Sequence, residues 1–134
     1  MKVSIITSTY NNKQTIGDAI ESVANQTYED IEYVVVDGAS SDGTVEVIQA
    51  YKDDIATFVS APDRGVYDGL NKGVSLATGD VVSFLHSDDL YASETIVASI
   101  AEEFKKDSAL DGVYGDLIYT PKDDTSKVLR YWKI

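Results

Sequence analysis

Residues 31–36 read Ile-Glu-Tyr-Val-Val-Val, an apolar run interrupted once and stopped by Asp37. A run this short, rich in β-branched residues and without alternation, fits a strand covered on both faces, as parallel sheets require. Parallel strands cannot be joined by hairpins, so helical crossovers must lie between them. The flanking sequence meets that demand. Residues 2–7, with Val3, Ile5 and Ile6, read as a first strand, and Ile16, Ala19, Ile20, Val23 and Ala24 then recur at helical spacing behind Thr15 and Asp18, which resemble a capping box.

The same alternation continues. A turn over 38–43 leads to a helix capped by Asp42, with Val45, Val47, Ile48 and Tyr51 as its buried stripe, and a strand is expected over 55–60. A helix over 66–77 tolerates Gly69 and Gly73, and the Thr78-Gly79-Asp80 turn closes it before a strand over 81–85. Ser93 opens a helix reaching Lys105, and residues 112–119 and 128–132, around a turn at 121–126, read as a hairpin. The expected class is α/β: a Rossmann-like, mostly parallel sheet with helices on both faces and a C-terminal hairpin.

At 134 residues the chain is expected to be a single domain. Its 23 acidic against 11 basic residues give a formal charge of -12, which disfavours nucleic acid as a partner. A phosphorylated ligand would need a local device, a cation or a helix N-terminus, to be held by so acidic a protein. There is no cysteine, hence no disulfide and no thiolate metal site. The residues from Met1 to Ile6 are too short an apolar run for a signal peptide, and no stretch is long enough to span a bilayer; the chain reads as cytoplasmic.

Ligands of doubly wound sheets bind at the carboxyl ends of the strands. Those ends carry Ser8, Thr9 and Tyr10; Asp37; Asp63 and Arg64; and 86–89, His-Ser-Asp-Asp. Asp88 and Asp89 are hard oxygen donors suited to magnesium or manganese, although an acidic pair before a helix is more often a solvated cap. Asp37 either accepts hydrogen bonds from a nucleoside or begins an Asx turn at Gly38. Tyr10 either stacks on a base or packs at the sheet edge. Arg64 and Lys72 are the cations best placed for a diphosphate, against the alternative of plain surface charges. The segment Gly-Ala-Ser-Ser-Asp-Gly-Thr at 38–44 lacks the lysine of a phosphate loop, and no Gly-x-Gly-x-x-Gly follows the first strand.

In order, VSIITSTYNN, VVVDGASSDGT, DRGVYDGLNKG, ATGDVVSFLHSDD and VYGDLIY resemble the motifs of family 2 glycosyltransferases, which build bacterial surface polysaccharides. The resemblance spans nearly the whole chain. It implies a GT-A fold and a nucleotide-sugar donor, expected to be UDP-linked, with the sugar passed to a glycan or lipid-linked acceptor and its configuration inverted. By resemblance Ser8 and Tyr10 meet the nucleoside, Asp37 reads uracil, Arg64 closes on the base, Asp88 approaches the ribose, and Asp89 holds Mn2+ or Mg2+.

Two departures stand out. His86 occupies the place where the family's metal signature often begins with an acid, and family members run well beyond 134 residues. The chain is therefore expected to be a truncated donor-binding domain, with the catalytic base beyond residue 134 and the complete enzyme peripheral to the inner membrane face. Asp116 is the best local carboxylate for the donor sugar or acceptor, and Leu129, Tyr131 and Trp132 form an apolar patch that either packs on the missing half, so that the fragment self-associates, or completes the domain's own sheet. The rival functions are a non-catalytic nucleotide-sugar-binding module and a sugar nucleotidyltransferase, the latter disfavoured because TSTYNNKQ is not a Gly-rich basic loop.

Overall fold

Four strands pair in parallel in the order β3-β2-β1-β4: β1 (Val3–Thr9), β2 (Ile31–Asp37), β3 (Thr57–Ser60) and β4 (Val81–Phe84). The computed structural model describes residues 1–134 throughout and divides them into two compact units, 1–101 and 102–134. The sheet lies in the first unit, with α1 (Ile16–Ala24), α2 (Thr44–Ala50) and α3 (Val66–Leu76) as its crossovers. A single 3-10 turn, Lys52–Asp54, follows α2. Helix α4 (Ile96–Lys106) crosses the boundary between the units.

β1 is buried along its whole length, and period-two alternation divides its side chains between two cores. Val3 and Ile5, with Tyr33 and Val35 of β2, pack against Ile16, Ala19, Ile20 and Val23 of α1, Ile48 of α2, and Val97 and Ala101 of α4. Ile6, Val34 and Val36 face the other way onto Leu70 of α3. Helices thus cover both faces, as the unalternating β2 run requires. Each fully buried Val or Ile contributes roughly 1.5–3 kcal/mol over leaving it in water. Inside the larger core the Tyr33 hydroxyl shares a hydrogen bond of 2.8 Å with Thr7 Oγ1, which donates to the Leu85 carbonyl at 2.7 Å, and burial pushes the Tyr33 phenol up.

Several boundaries differ from the sequence reading. β1 runs on through Ser8 and Thr9, and β2 through Asp37, because the ladder continues to the Thr9–Asp37 pair. Polar side chains end the apolar pattern there without ending backbone pairing. β3 begins at Thr57, after the 3-10 turn has used Lys52 to Asp54. The capping box at Thr15 is absent: that side chain makes no cap hydrogen bond, and the Asn12 carbonyl instead accepts the backbone N–H groups of Thr15 and Ile16.

Gly69 and Gly73 are required by the packing. A Cβ on Gly69 would fall 2.1 Å from Ser8 Oγ, and one on Gly73 would fall 2.3 Å from Ile6 Cγ2. Spaced four apart, they form one face of α3 that lets the helix lie directly on β1. In the second unit, β5 (Leu117–Tyr119) pairs antiparallel with β6 (Arg130–Trp132), a shorter hairpin than the sequence predicts. Its strands are exposed, with Arg130 over the Trp132 ring at 4.7 Å. Asp116 accepts the Ile134 backbone N–H at 3.1 Å and the Tyr131 hydroxyl at 3.4 Å. No helix is long and apolar enough to cross a membrane.

Candidate active site

In the order β3-β2-β1-β4 the connections leave β1 in one direction and reach β4 from the other, so the crevice between their carboxyl ends is the switch point of the sheet. A cleft of about 730 Å³ opens there, lined on the β1 and β4 side by Ser8, Thr9, Tyr10, Asn12 and the 86–88 turn, and on the β2 and β3 side by Gly38, Ala39 and residues 62–66. That volume falls in the range of small-molecule sites, roughly 300–1,000 Å³.

The rim is built before any ligand arrives. The Asn11 backbone N–H donates to Ser40 Oγ at 2.8 Å, and Asn11 Oδ1 accepts the Ser41 N–H at 2.9 Å. The Asn12 N–H donates to Thr44 Oγ1 at 3.0 Å, and Asp42 accepts the N–H groups of Lys13 at 3.2 Å and Thr44 at 2.9 Å. The Asp42 carboxyl is lowered, chiefly by the Thr44 hydroxyl. The Asn12 amide also donates to Ser87 Oγ, joining the loop after β1 to the turn after β4 across the switch point. These bonds fix two loops that sequence alone leaves free. Asn11 and Ala39 take positive φ, 50° and 65°; asparagine tolerates that region, whereas alanine is strained in it.

Ser8, Tyr10, Arg64 and Asp88 all line this cleft. Tyr10 is 61% exposed, free to present its ring rather than packed at a sheet edge. Arg64 is the one cation among the lining residues, and its backbone N–H is held by Asp68 at 3.0 Å while its guanidinium has no hydrogen-bonded or ion-paired partner. Lys72 is not among the lining residues: it binds the Pro62 carbonyl at 3.3 Å and Asp68 at 3.7 Å, bracing the loop that carries Arg64.

Asp37 is fully buried and outside the lining. Its Oδ2 accepts the Ser40 N–H at 2.9 Å and the Ser60 hydroxyl at 2.7 Å, and its Oδ1 accepts the Ser40 hydroxyl. The carboxylate thus holds the loop after β2 through Ser40, three residues on, and is tied to β3 through Ser60.

Asp89 closes the turn after β4, its N–H donating to the His86 carbonyl at 3.0 Å, and it too lies beside rather than in the lining. Desolvation, then the Asp88 charge, raises its carboxyl above the usual range, and His86 opposes them. No three acidic or histidine groups cluster closely enough to cage a metal ion by themselves. The adjacent carboxylates fit magnesium or manganese, which take one or two carboxylates and complete their shells with phosphate oxygens and water.

Sequence reading passed over Asn12 and Ala39 of the lining, and gave no separate role to Ser87 or to Thr9, whose buried Oγ1 has no hydrogen-bond partner.

Residues 4–133 match the model of the family described as Glycosyl transferase family 2. The chain belongs to that family. A PGL/p-HBAD biosynthesis glycosyltransferase of Mycobacterium bovis (strain BCG / Pasteur 1173P2) is 38% identical over 119 residues, covering 86% of this chain and 46% of the relative. Among solved structures, S. aureus TarS 1-349 in complex with UDP-GlcNAc is similar at a TM-score of 0.73 and 27% identity, over 79% of this chain and 32% of that one. The mannosyltransferase PcManGT from Pyrobaculum calidifontis, in complex with GDP-Man and Mn2+, is similar at a TM-score of 0.73 and 29% identity, over 86% of this chain and 34% of that one. The parallel sheet and C-terminal hairpin are accordingly those of a GT-A glycosyltransferase. The chain spans less than half the length of the curated relatives it matches.

Proposed function

We propose that residues 1–134 form the donor-binding part of a glycosyltransferase that passes a sugar from a nucleotide-sugar, UDP-linked, to an acceptor hydroxyl on a glycan or lipid-linked acceptor. The observation that carries this reading is the gathering of Ser8, Tyr10, Arg64 and Asp88 around one cleft at the sheet's switch point, in a family 2 chain. TarS with UDP-GlcNAc and PcManGT with GDP-Man and Mn2+ support the ligand class.

Tyr10 offers a ring for stacking on the base, and Ser8 a hydroxyl at the carboxyl end of β1. Arg64, with an unpaired guanidinium, draws the anionic ligand into an otherwise acidic protein. Asp88 reaches a ribose hydroxyl, and Asp89 holds Mn2+ or Mg2+. The ion supplies charge neutralisation for the departing nucleoside diphosphate. The transfer is a single displacement that inverts the anomeric centre, with the acceptor proton taken by a base that is assigned to no residue of this chain. Asp116 is reserved for contact with the donor sugar or acceptor.

The reading places the protein in polysaccharide biosynthesis at the cytoplasmic side of a membrane. Self-association through Leu129, Tyr131 and Trp132 belongs to the same proposal, and sedimentation as a monomer at all concentrations would remove it.

The test is calorimetric titration of UDP, GDP and a panel of UDP-sugars, with and without Mn2+, on the wild type and Asp89→Ala. UDP should bind with a Mn2+-dependent component that the variant loses. Affinity unchanged by both manipulations contradicts the metal role, and the absence of any nucleotide binding contradicts the function.

A further inference from the structure

We propose that Asn12 is a positioning residue for the turn that receives the cation: its amide, bonded to Ser87, ties residues 86–89 to the frame of α1 and α2. The inference rests on the nucleotide-sugar reading above, with Asp89 as the ion's ligand, and names what holds that ligand in place.

The backbone of Asn12 is fixed from two directions. Its N–H donates to Thr44 Oγ1 at 3.0 Å, at the first residue of α2. Its carbonyl accepts the N–H groups of Thr15 at 3.1 Å and Ile16 at 3.0 Å, at the start of α1. Both helices are themselves rooted in the larger core, α1 through Ile16 and α2 through Ile48. Only the side-chain torsions of Asn12 are left to set, and the bond to Ser87 sets them.

The turn needs such an anchor. Its own backbone closes it through one bond, from the Asp89 N–H to the His86 carbonyl at 3.0 Å. Of the four side chains at 86–89, only that of Ser87 makes a hydrogen bond, and the partner is Asn12. Ser87 is buried, whereas His86 and Asp88 on either side of it are exposed. Asp88 and Asp89 are adjacent acids whose like charges push the turn apart until a cation arrives. The Asn12 bond opposes that drift from outside the pair, through groups that carry no charge.

Anchoring has a signature in binding. Ordering a site at the moment of binding subtracts from affinity, so a turn already held lets more of the ion's attraction appear as affinity. Asn12 therefore acts on the ion first and on the nucleotide through the ion, because carboxylates without a cation repel a diphosphate. Its removal should reduce the coupling between Mn2+ and nucleotide rather than nucleotide affinity in general.

Asn12→Ala leaves both backbone anchors in place and removes only the amide. Ser87→Ala removes the partner, and the double variant completes a cycle. UDP is titrated into each protein with and without Mn2+, and bound Mn2+ is followed by its electron paramagnetic resonance signal. The ratio of the two UDP affinities should fall by about three- to tenfold in each single variant, the scale of one neutral hydrogen bond, and no further in the double. More free Mn2+ should remain beside each variant than beside wild type at the same UDP concentration. The ratio is internal to each protein, so a partial loss of folded material cancels from it. A ratio unchanged in Asn12→Ala would mean that the residue serves the fold alone, and losses that multiply in the double variant would mean that Asn12 and Ser87 act separately. Either result overturns the inference and leaves the function standing. Wild type that binds UDP with no gain from Mn2+ overturns it as well, whereas wild type that binds no nucleoside diphosphate removes the function with it.

Discussion

The Gly69 backbone of α3 lies directly on the Ser8 side chain near the end of β1: a Cβ at residue 69 would lie 2.1 Å from the serine hydroxyl oxygen and 3.0 Å from its Cβ. The helix that follows the Arg64 loop is therefore seated by the same residue that lines the cleft. Gly69→Ala should cost about 1–3 kcal/mol through overpacking and should weaken nucleotide binding as well. Gly73→Ala, which meets Ile6 in the core, should cost a similar amount with less effect on affinity. Chemical denaturation and titration of the two variants check the distinction; equal losses of affinity would show that α3 position, not Ser8 itself, governs binding.

Asp37 acts from below the cleft by holding the loop after β2. Ser60→Ala removes one donor to this buried carboxylate and should destabilise the protein by about 1–3 kcal/mol, the range for breaking a hydrogen bond to a buried charged group. Amide exchange at Ser40 should accelerate in the variant. Unchanged exchange there would mean that the Ser40 bonds alone hold the turn.

Ala39 occupies the left-handed region at φ 65° in the cleft wall. That conformation costs a non-glycine residue roughly 1–2 kcal/mol, against roughly 0.5–1 kcal/mol for the extra backbone freedom glycine must give up on folding. Ala39→Gly should therefore raise stability by about 0.5–1 kcal/mol, read as a higher denaturation midpoint. A lowered midpoint would mean that the alanine methyl contributes packing that outweighs its strain.

At the opposite end of the sheet, Glu32 accepts the Ser4 hydroxyl at 2.6 Å and the Thr78 N–H and hydroxyl at 2.7 Å each, clamping the turn before β4. The Ser4 hydrogen bond, followed by the Thr78 N–H, holds its carboxyl at about 2 against an ordinary 4.5. A carboxyl depressed on folding stabilises the native state above its unfolded value and loses that contribution as pH falls through the folded one. Glu32→Gln should thus be less stable than wild type at neutral pH, and the gap should close between about 4.5 and 2. Parallel melting curves across that range give the test; a gap independent of pH would show that Glu32 acts through shape alone.

The parallel sheet was legible because β2 carries no alternation and the helical stripes on either side of it are regular, Ile16, Ala19, Ile20 and Val23 above all. Ser8, Tyr10, Arg64 and Asp88 were legible because each lies at or just after the end of a strand. What pattern could not reveal was the direction in which a polar strand-end residue is spent. Asp37 and Asp63 are both acids at strand ends, yet one is buried and accepts the hydroxyls of Ser40 and Ser60 from separate segments, while the other accepts the Gly65 N–H and lines the cleft. The cap at α1 was misread for a related reason: a backbone carbonyl, that of Asn12, does work that side-chain spacing had assigned to Thr15. Glycine spacing hid as well, since Gly69 and Gly73 look like flaws in a helix until the strand beneath them is known.

The account turns on where a nucleotide sits. A crystal structure of the protein with UDP and Mn2+ should show the base beside Tyr10, and the diphosphate with its ion at the Asp88 and Asp89 turn. Density for the nucleotide away from the β1 and β4 strand ends, or a diphosphate pointing toward β3, would contradict it.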